Sequence, residues 1–123
     1  CESLTSQWRP WFTFNNQHVP CGSADYQGWF GFDSIPVLNK SNPDVQKYFL
    51  TGNNSITRIW LDAGTAGWRL DVMGDPSFPA NYWNTFRKET KDARSDARVA
   101  LVARARPGSR RDRGRSTSRR DAT

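Results

Sequence analysis

Arg69 and Asp71 are the residues of this 123-residue chain whose types and spacing point most directly to chemistry. They lie in Gly67-Trp68-Arg69-Leu70-Asp71-Val72, which reads as a short buried strand. Side chains alternate along a strand, so Arg69, Asp71 and Met73 are expected on one face and Trp68, Leu70 and Val72 on the other. A guanidinium two residues from a carboxylate favours its charged form and fixes its direction. A carboxylate nucleophile needs both. The same spacing suits a plain structural ion pair, so the neighbouring sequence has to decide between the two.

Gly67-Trp68-Arg69-Leu70-Asp71-Val72 resembles the nucleophile motif of the α-amylase family of glycoside hydrolases, Gly-x-Arg-x-Asp. Tyr26-Gln27-Gly28-Trp29-Phe30-Gly31-Phe32 and Asn42-Pro43 are similar to the family's approach to that motif. Ile35-Pro36-Val37-Leu38-Asn39 resembles its short pentapeptide ending in Leu-Asn, and Tyr82-Trp83-Asn84-Thr85-Phe86-Arg87 its following helix. The match runs from Cys1 to Thr90, and the nearest subgroup is the neopullulanase and amylopullulanase type.

The resemblance implies a retaining glycoside hydrolase acting on α-glucosidic bonds of starch-like glucans, with Asp71 as nucleophile and Arg69 orienting it. Asp75 stands where it would help bind the substrate, although the family often carries a different acid there. Retaining enzymes need a second carboxyl about 5–5.5 Å from the first. In this family it is a glutamate at the end of the next strand, about thirty residues on, one βαβ repeat away. Ala97–Arg106 is the candidate strand, with Val99, Leu101 and Val102 as its apolar part. The expected position holds Ala103-Arg104-Ala105, and no glutamate follows Glu89. Arginine, with a pKa above about 12, cannot serve as the acid. The chain alone is therefore expected to be inactive. The family's chemistry requires no cofactor, and whether the parent enzyme binds calcium is left open.

The expected fold class is α/β: an incomplete segment of a (β/α)8 barrel, with an irregular N-terminal loop excursion and a disordered basic tail. A whole barrel needs about 250 residues. The chain is shorter and begins with Cys1, so a piece of a longer protein is expected. Residues 1–30 read as a loop or inserted subdomain, rich in aromatics that could line a sugar cleft. Residues 31–96 read as the barrel segment with the nucleophile strand, and 97–123 as an arginine-rich tail, disordered or out of frame.

The elements that must position Asp71 are legible from punctuation. Asn42-Pro43-Asp44 is a helix start, followed by Val45, Tyr48 and Phe49 at helical spacing. Ser55 can cap a second helix whose apolar stripe is Ile56, Ile59 and Trp60. Gly64 and Gly67 turn into the strand, Asp75-Pro76 ends it, and Pro79, Trp83 and Phe86 begin another helix. Helix, strand, helix suits a βα repeat.

The net charge of +6 is unevenly distributed. Through Thr90 there are seven bases and eight acids, while one lysine and ten arginines follow. Cys1 and Cys21 could close a loop of about twenty residues, contributing about 3 kcal/mol. Such a bond would argue for a secreted or extracellular parent. Two cysteines and His18 are too few for a structural zinc site. No run of about 18 apolar residues exists, so no membrane span is expected. The expected partner is an α-glucan oligo- or polysaccharide, and oligomeric state is not legible. The alternative reading is a non-catalytic binding protein, either a carbohydrate-binding remnant using the aromatic N-terminus or an anion or nucleic-acid binder using the tail. Phosphate affinity fits arginine, but the tail has no interleaved aromatics, so nucleic acid is not the expected partner.

Overall fold

The computed structural model describes residues 3–102. Its elements run β1 (Gly28–Trp29), β2 (Phe32–Pro36), α1 (Pro43–Gln46), α2 (Ile56–Asp62), β3 (Gly67–Asp71), α3 (Tyr82–Ala93) and β4 (Arg98–Val102). Ahead of β1 a single 3-10 turn spans Arg9–Trp11, and α1 widens into a π-helical stretch over Lys47–Thr51. Strands β1 and β2 form an antiparallel hairpin, whereas β3 and β4 pair in parallel with α3 between them. That βαβ unit is the repeat from which (β/α)8 barrels are built. The described residues form no closed barrel, since each sheet has two strands.

The helix signals divide. Asn42 caps α1 as the sequence implies: its Oδ1 accepts from the amides of Asp44 at 2.8 Å and Val45 at 3.4 Å. Its Nδ2 also donates to the Pro10 carbonyl, tying the N-terminal segment to the helix. Ser55 precedes α2 but makes no cap. Its hydroxyl instead donates to the Leu50 carbonyl at 2.9 Å, and Thr57 does the same to Phe49 at 2.6 Å. These bonds satisfy carbonyls at the end of the widened helix, whose regular partners are missing.

The stripe expected on α2 is correspondingly corrected. Thr57 and Leu61 face inward, while Ile59 and Trp60 are exposed. The Thr57 hydroxyl turns that side of the helix inward by donating to the Phe49 carbonyl. The core is small: Val45, Leu50, Leu61, Phe86 and Ala97, with Ser55, Thr57 and Thr90. An ion pair between Arg58 and Glu89 joins α2 to α3.

The strand expected in Ala97–Arg106 forms at Arg98–Val102, inside the stretch read as tail. Regular structure therefore continues past the expected boundary at residue 96. Residues 103–123 lie outside the described residues, and so does Cys1, which removes the Cys1–Cys21 pairing from the description.

Candidate active site

Strand β3 exists in its position because Gly67 has no side chain. A Cβ there would stand 1.9 Å from the Arg98 carbonyl oxygen and 2.7 Å from its nitrogen. Bare backbone at this point lets Gly67 face Arg98, and the register then runs residue by residue to Asp71 facing Val102. The first glycine of the motif is thus a pairing requirement. Trp68 packs on Phe86 of α3 at 6.2 Å, edge to face, and holds the strand against the helix.

The expected alternation appears along β3: Trp68 and Leu70 are half-buried, Arg69 and Asp71 exposed. Two details differ from the sequence reading. The strand is not buried, because one neighbour and one helix cover it. It also stops at Asp71, since Val72 adopts φ 53°. A β-branched residue in the left-handed region is strained, by about 1–3 kcal/mol. Met73 therefore does not continue the alternation.

Asp71 sits at the C-terminal end of β3, where its Oδ1 accepts from the Val72 amide at 3.0 Å. The strained turn supplies that donor. No hydrogen bond or ion pair joins Arg69 to Asp71 among the described residues. Both residues are exposed and share one strand face.

Past Asp71, the rim loop is held from three sides. Trp83 donates its indole proton to the Met73 carbonyl at 3.1 Å, and Phe78 lies 4.5 Å from the Trp83 ring. Asp75 Oδ1 accepts from the Ser77 hydroxyl at 2.5 Å and the Ser77 amide at 2.8 Å. The ammonium of Lys40 reaches the same hydroxyl at 2.5 Å and lies 4.4 Å from the centre of the Phe78 ring. The Ser77 hydroxyl holds the Asp75 carboxyl below its ordinary range; burial opposes this, and the Ser77 amide, the Lys40 charge and a Trp29 side-chain hydrogen bond assist. Burial lowers the Lys40 pKa, with the Asp75 charge pulling the other way.

Asp75 is therefore tied through Ser77 to the segment following Leu38-Asn39, 37 residues from Ser77. The sequence offered Asp75 but not Lys40, Ser77 or Trp29. The one available signal was that Lys40 directly follows the pentapeptide. The second carboxyl expected after β4 falls at 103–105, outside the described residues. Among the described residues no three His, Cys, Asp or Glu side chains gather as they would around a cation.

A parallel βαβ unit with an exposed carboxylate at the C-terminal end of a strand is the repeat of α/β folds, barrels and open sheets alike, in which sites gather at that end of the strands. No protein-family model matches the chain. The amylopullulanase of Thermoanaerobacterium saccharolyticum is 29% identical over 104 residues, covering 75% of this chain and 8% of that protein. Neopullulanase 2 of Thermoactinomyces vulgaris is 28% identical over 96 residues, covering 76% and 15%. Among solved structures, the debranching enzyme of Nostoc punctiforme aligns with a TM-score of 0.71 at 30% identity, covering 83% of this chain and 21% of that one. The chain is a homologue of the α-amylase-family glycoside hydrolases. It spans about a fifth or less of the length of these relatives.

Proposed function

We propose that this chain is a segment of a retaining glycoside hydrolase that acts on α-glucosidic bonds of starch-like glucans, with Asp71 as its nucleophile. The observation that carries the reading is the place of Asp71: the last residue of β3, in register with the end of a parallel β4, across one βαβ unit. A carboxyl contributed from the end of β4 would stand beside it, which is the pairing that retention demands.

In this reading Asp71 attacks the anomeric carbon and forms a glycosyl ester, while the leaving oxygen takes a proton from the second carboxyl. The Val72 amide holds one Asp71 oxygen, leaving the other to attack. Arg69, on the same face, closes on the carboxylate once the cleft excludes water. Asp75, kept ionised by Ser77 and Lys40, accepts a substrate hydroxyl at the rim. The isolated chain has Ala103-Arg104-Ala105 where the acid belongs, and acid catalysis is worth about 10²–10⁴ in rate. The isolated chain is accordingly inactive.

The test is a chimera in which residues 3–102 replace the matching segment of neopullulanase 2, with the host glutamate restored after β4. Maltooligosaccharide hydrolysis by the chimera, abolished by Asp71→Asn, supports the reading. Hydrolysis that survives Asp71→Asn removes it.

A further inference from the structure

The turn after Asp71 is held in a conformation that its own sequence does not favour. Val72 has φ 53°, and a β-branched residue stays in the left-handed region only where surrounding structure over-determines it. Local bonds supply part of that constraint. The Asp75 amide donates to the Val72 carbonyl at 3.1 Å, and the Phe78 amide to the Asp75 carbonyl at 3.3 Å. Trp83 fixes the near end of the loop from α3, through the Met73 carbonyl. The far end, from Asp75 to Phe78, needs a tie from elsewhere in the fold.

Lys40 provides it. Its ammonium donates to the Ser77 hydroxyl at 2.5 Å and lies 4.4 Å from the centre of the Phe78 ring. The residue is half-buried, and burial penalises its charge while the Asp75 carboxylate favours it. The hydroxyl and the ring face offset that penalty. Lys88 is the contrast: its side chain is 70% exposed and paired with Asp92 of its own helix.

The backbone behind Lys40 is anchored on two sides. Gln46 of α1 donates its side-chain amide to the Lys40 carbonyl at 2.8 Å. One residue earlier, the Asn39 amide donates to the Trp11 carbonyl at 2.6 Å, and Leu38 bridges to Phe12. Lys40 thus links α1 and the N-terminal segment to the loop whose first residue turns its amide onto Asp71. Trp29 joins that loop from the same part of the chain, through its side-chain hydrogen bond to Asp75.

We propose that Lys40 is a positioning residue for Asp71: by fixing the Ser77–Phe78 end of the loop, it keeps the Val72 amide on the Asp71 carboxylate. The catalytic consequence rests on the proposed function; the tie itself rests on the geometry. Without Lys40 the Val72 turn relaxes to ordinary φ, its amide leaves Asp71, and the carboxylate loses its aim. Asp75 keeps its bonds from Ser77 and Trp29, so binding at the rim changes little.

Lys40→Met removes the charge and keeps the length of the side chain. In the chimera, Lys40→Met should lower kcat about tenfold and leave KM within about twofold. Lys40→Arg, which keeps a cation and its donors, should recover most of the rate. In the full chain, Lys40→Met should move the Val72 Cα resonance toward that of ordinary backbone. Lys88→Met should leave both readouts unchanged. A raised KM at unchanged kcat overturns the proposal, since Lys40 would then serve Asp75 alone. A Val72 resonance that stays in place, or no recovery by Lys40→Arg, overturns it too. If Lys40→Met does not fold, the wild-type full chain decides: cross-relaxation between the Lys40 ε-methylene protons and the Phe78 ring is expected, and its absence overturns the tie. Hydrolysis by the chimera that survives Asp71→Asn removes the proposed function, and the Val72 resonance still decides the tie.

Discussion

Gly67→Ala tests the structural reason for the motif's first glycine. A Cβ at this position falls 1.9 Å from the Arg98 carbonyl oxygen and 2.7 Å from the Arg98 carbon and nitrogen. All three are backbone atoms, so no side-chain rotation relieves the overlap, and the ends of β3 and β4 must separate. The adjoining bond from the Arg98 amide to the Ala66 carbonyl, 2.9 Å long, is the first to go. One or two lost backbone bonds at about 1 kcal/mol each, with overpacking of about 1–3 kcal/mol, give a local loss of about 2–5 kcal/mol. Native-state amide exchange of β4 reads this directly, because each 1.4 kcal/mol is about tenfold in the opening equilibrium. The Arg98 amide should exchange at least about thirtyfold faster. Gly74→Ala is the control, since a Cβ there meets nothing within 4 Å. Gly67→Ala exchanging like wild type, or no worse than Gly74→Ala, would refute the argument that pairing selects this glycine.

Other outcomes follow from the same geometry. Ser77→Ala removes the largest influence on Asp75, so the Asp75 carboxyl should titrate at higher pH; a carboxyl NMR titration unchanged by the substitution contradicts the Lys40–Ser77–Asp75 tie. Asp25 is lowered from 3.8 to about 2 by bonds from Asn16, the Gly22 amide and His18. Its contribution to the Asn16–Asp25 loop is present above pH 3.8 and disappears as pH falls through about 2. The Gly22 amide resonance should report that transition, and Asp25→Asn should erase it. Asn42→Ala should destabilise α1 by about 1 kcal/mol through loss of the cap, seen as faster exchange of the Asp44 and Val45 amides.

What the sequence made legible were the features local chemistry specifies. Asn42-Pro43-Asp44 signals its helix because a cap acts within three residues. The Gly67–Asp71 strand is legible from alternation and punctuation. Features set by distant contacts were not. Ser55 looks like a cap, yet its hydroxyl serves a carbonyl freed by the π-helical widening, which no periodicity announces. Ile59 and Trp60 form a plausible stripe, but the neighbouring helices select Thr57 and Leu61. Lys40 meets Ser77 across 37 residues, a contact that exists only once the loop after β3 meets the segment before α1. Val72 is the most instructive case: its sequence continues a strand, while its φ of 53° ends one and turns an amide onto Asp71.

The central claim is that Asp71 is a nucleophile, and covalent trapping tests it most directly. The chimera described above would be treated with a fluorinated α-glucosyl fluoride, which forms the glycosyl-enzyme quickly and loses it slowly, then digested and analysed by mass spectrometry. The account predicts one added sugar on the peptide carrying Asp71, and none in Asp71→Asn. A label on any other carboxylate of a chimera that hydrolyses maltooligosaccharides would contradict it.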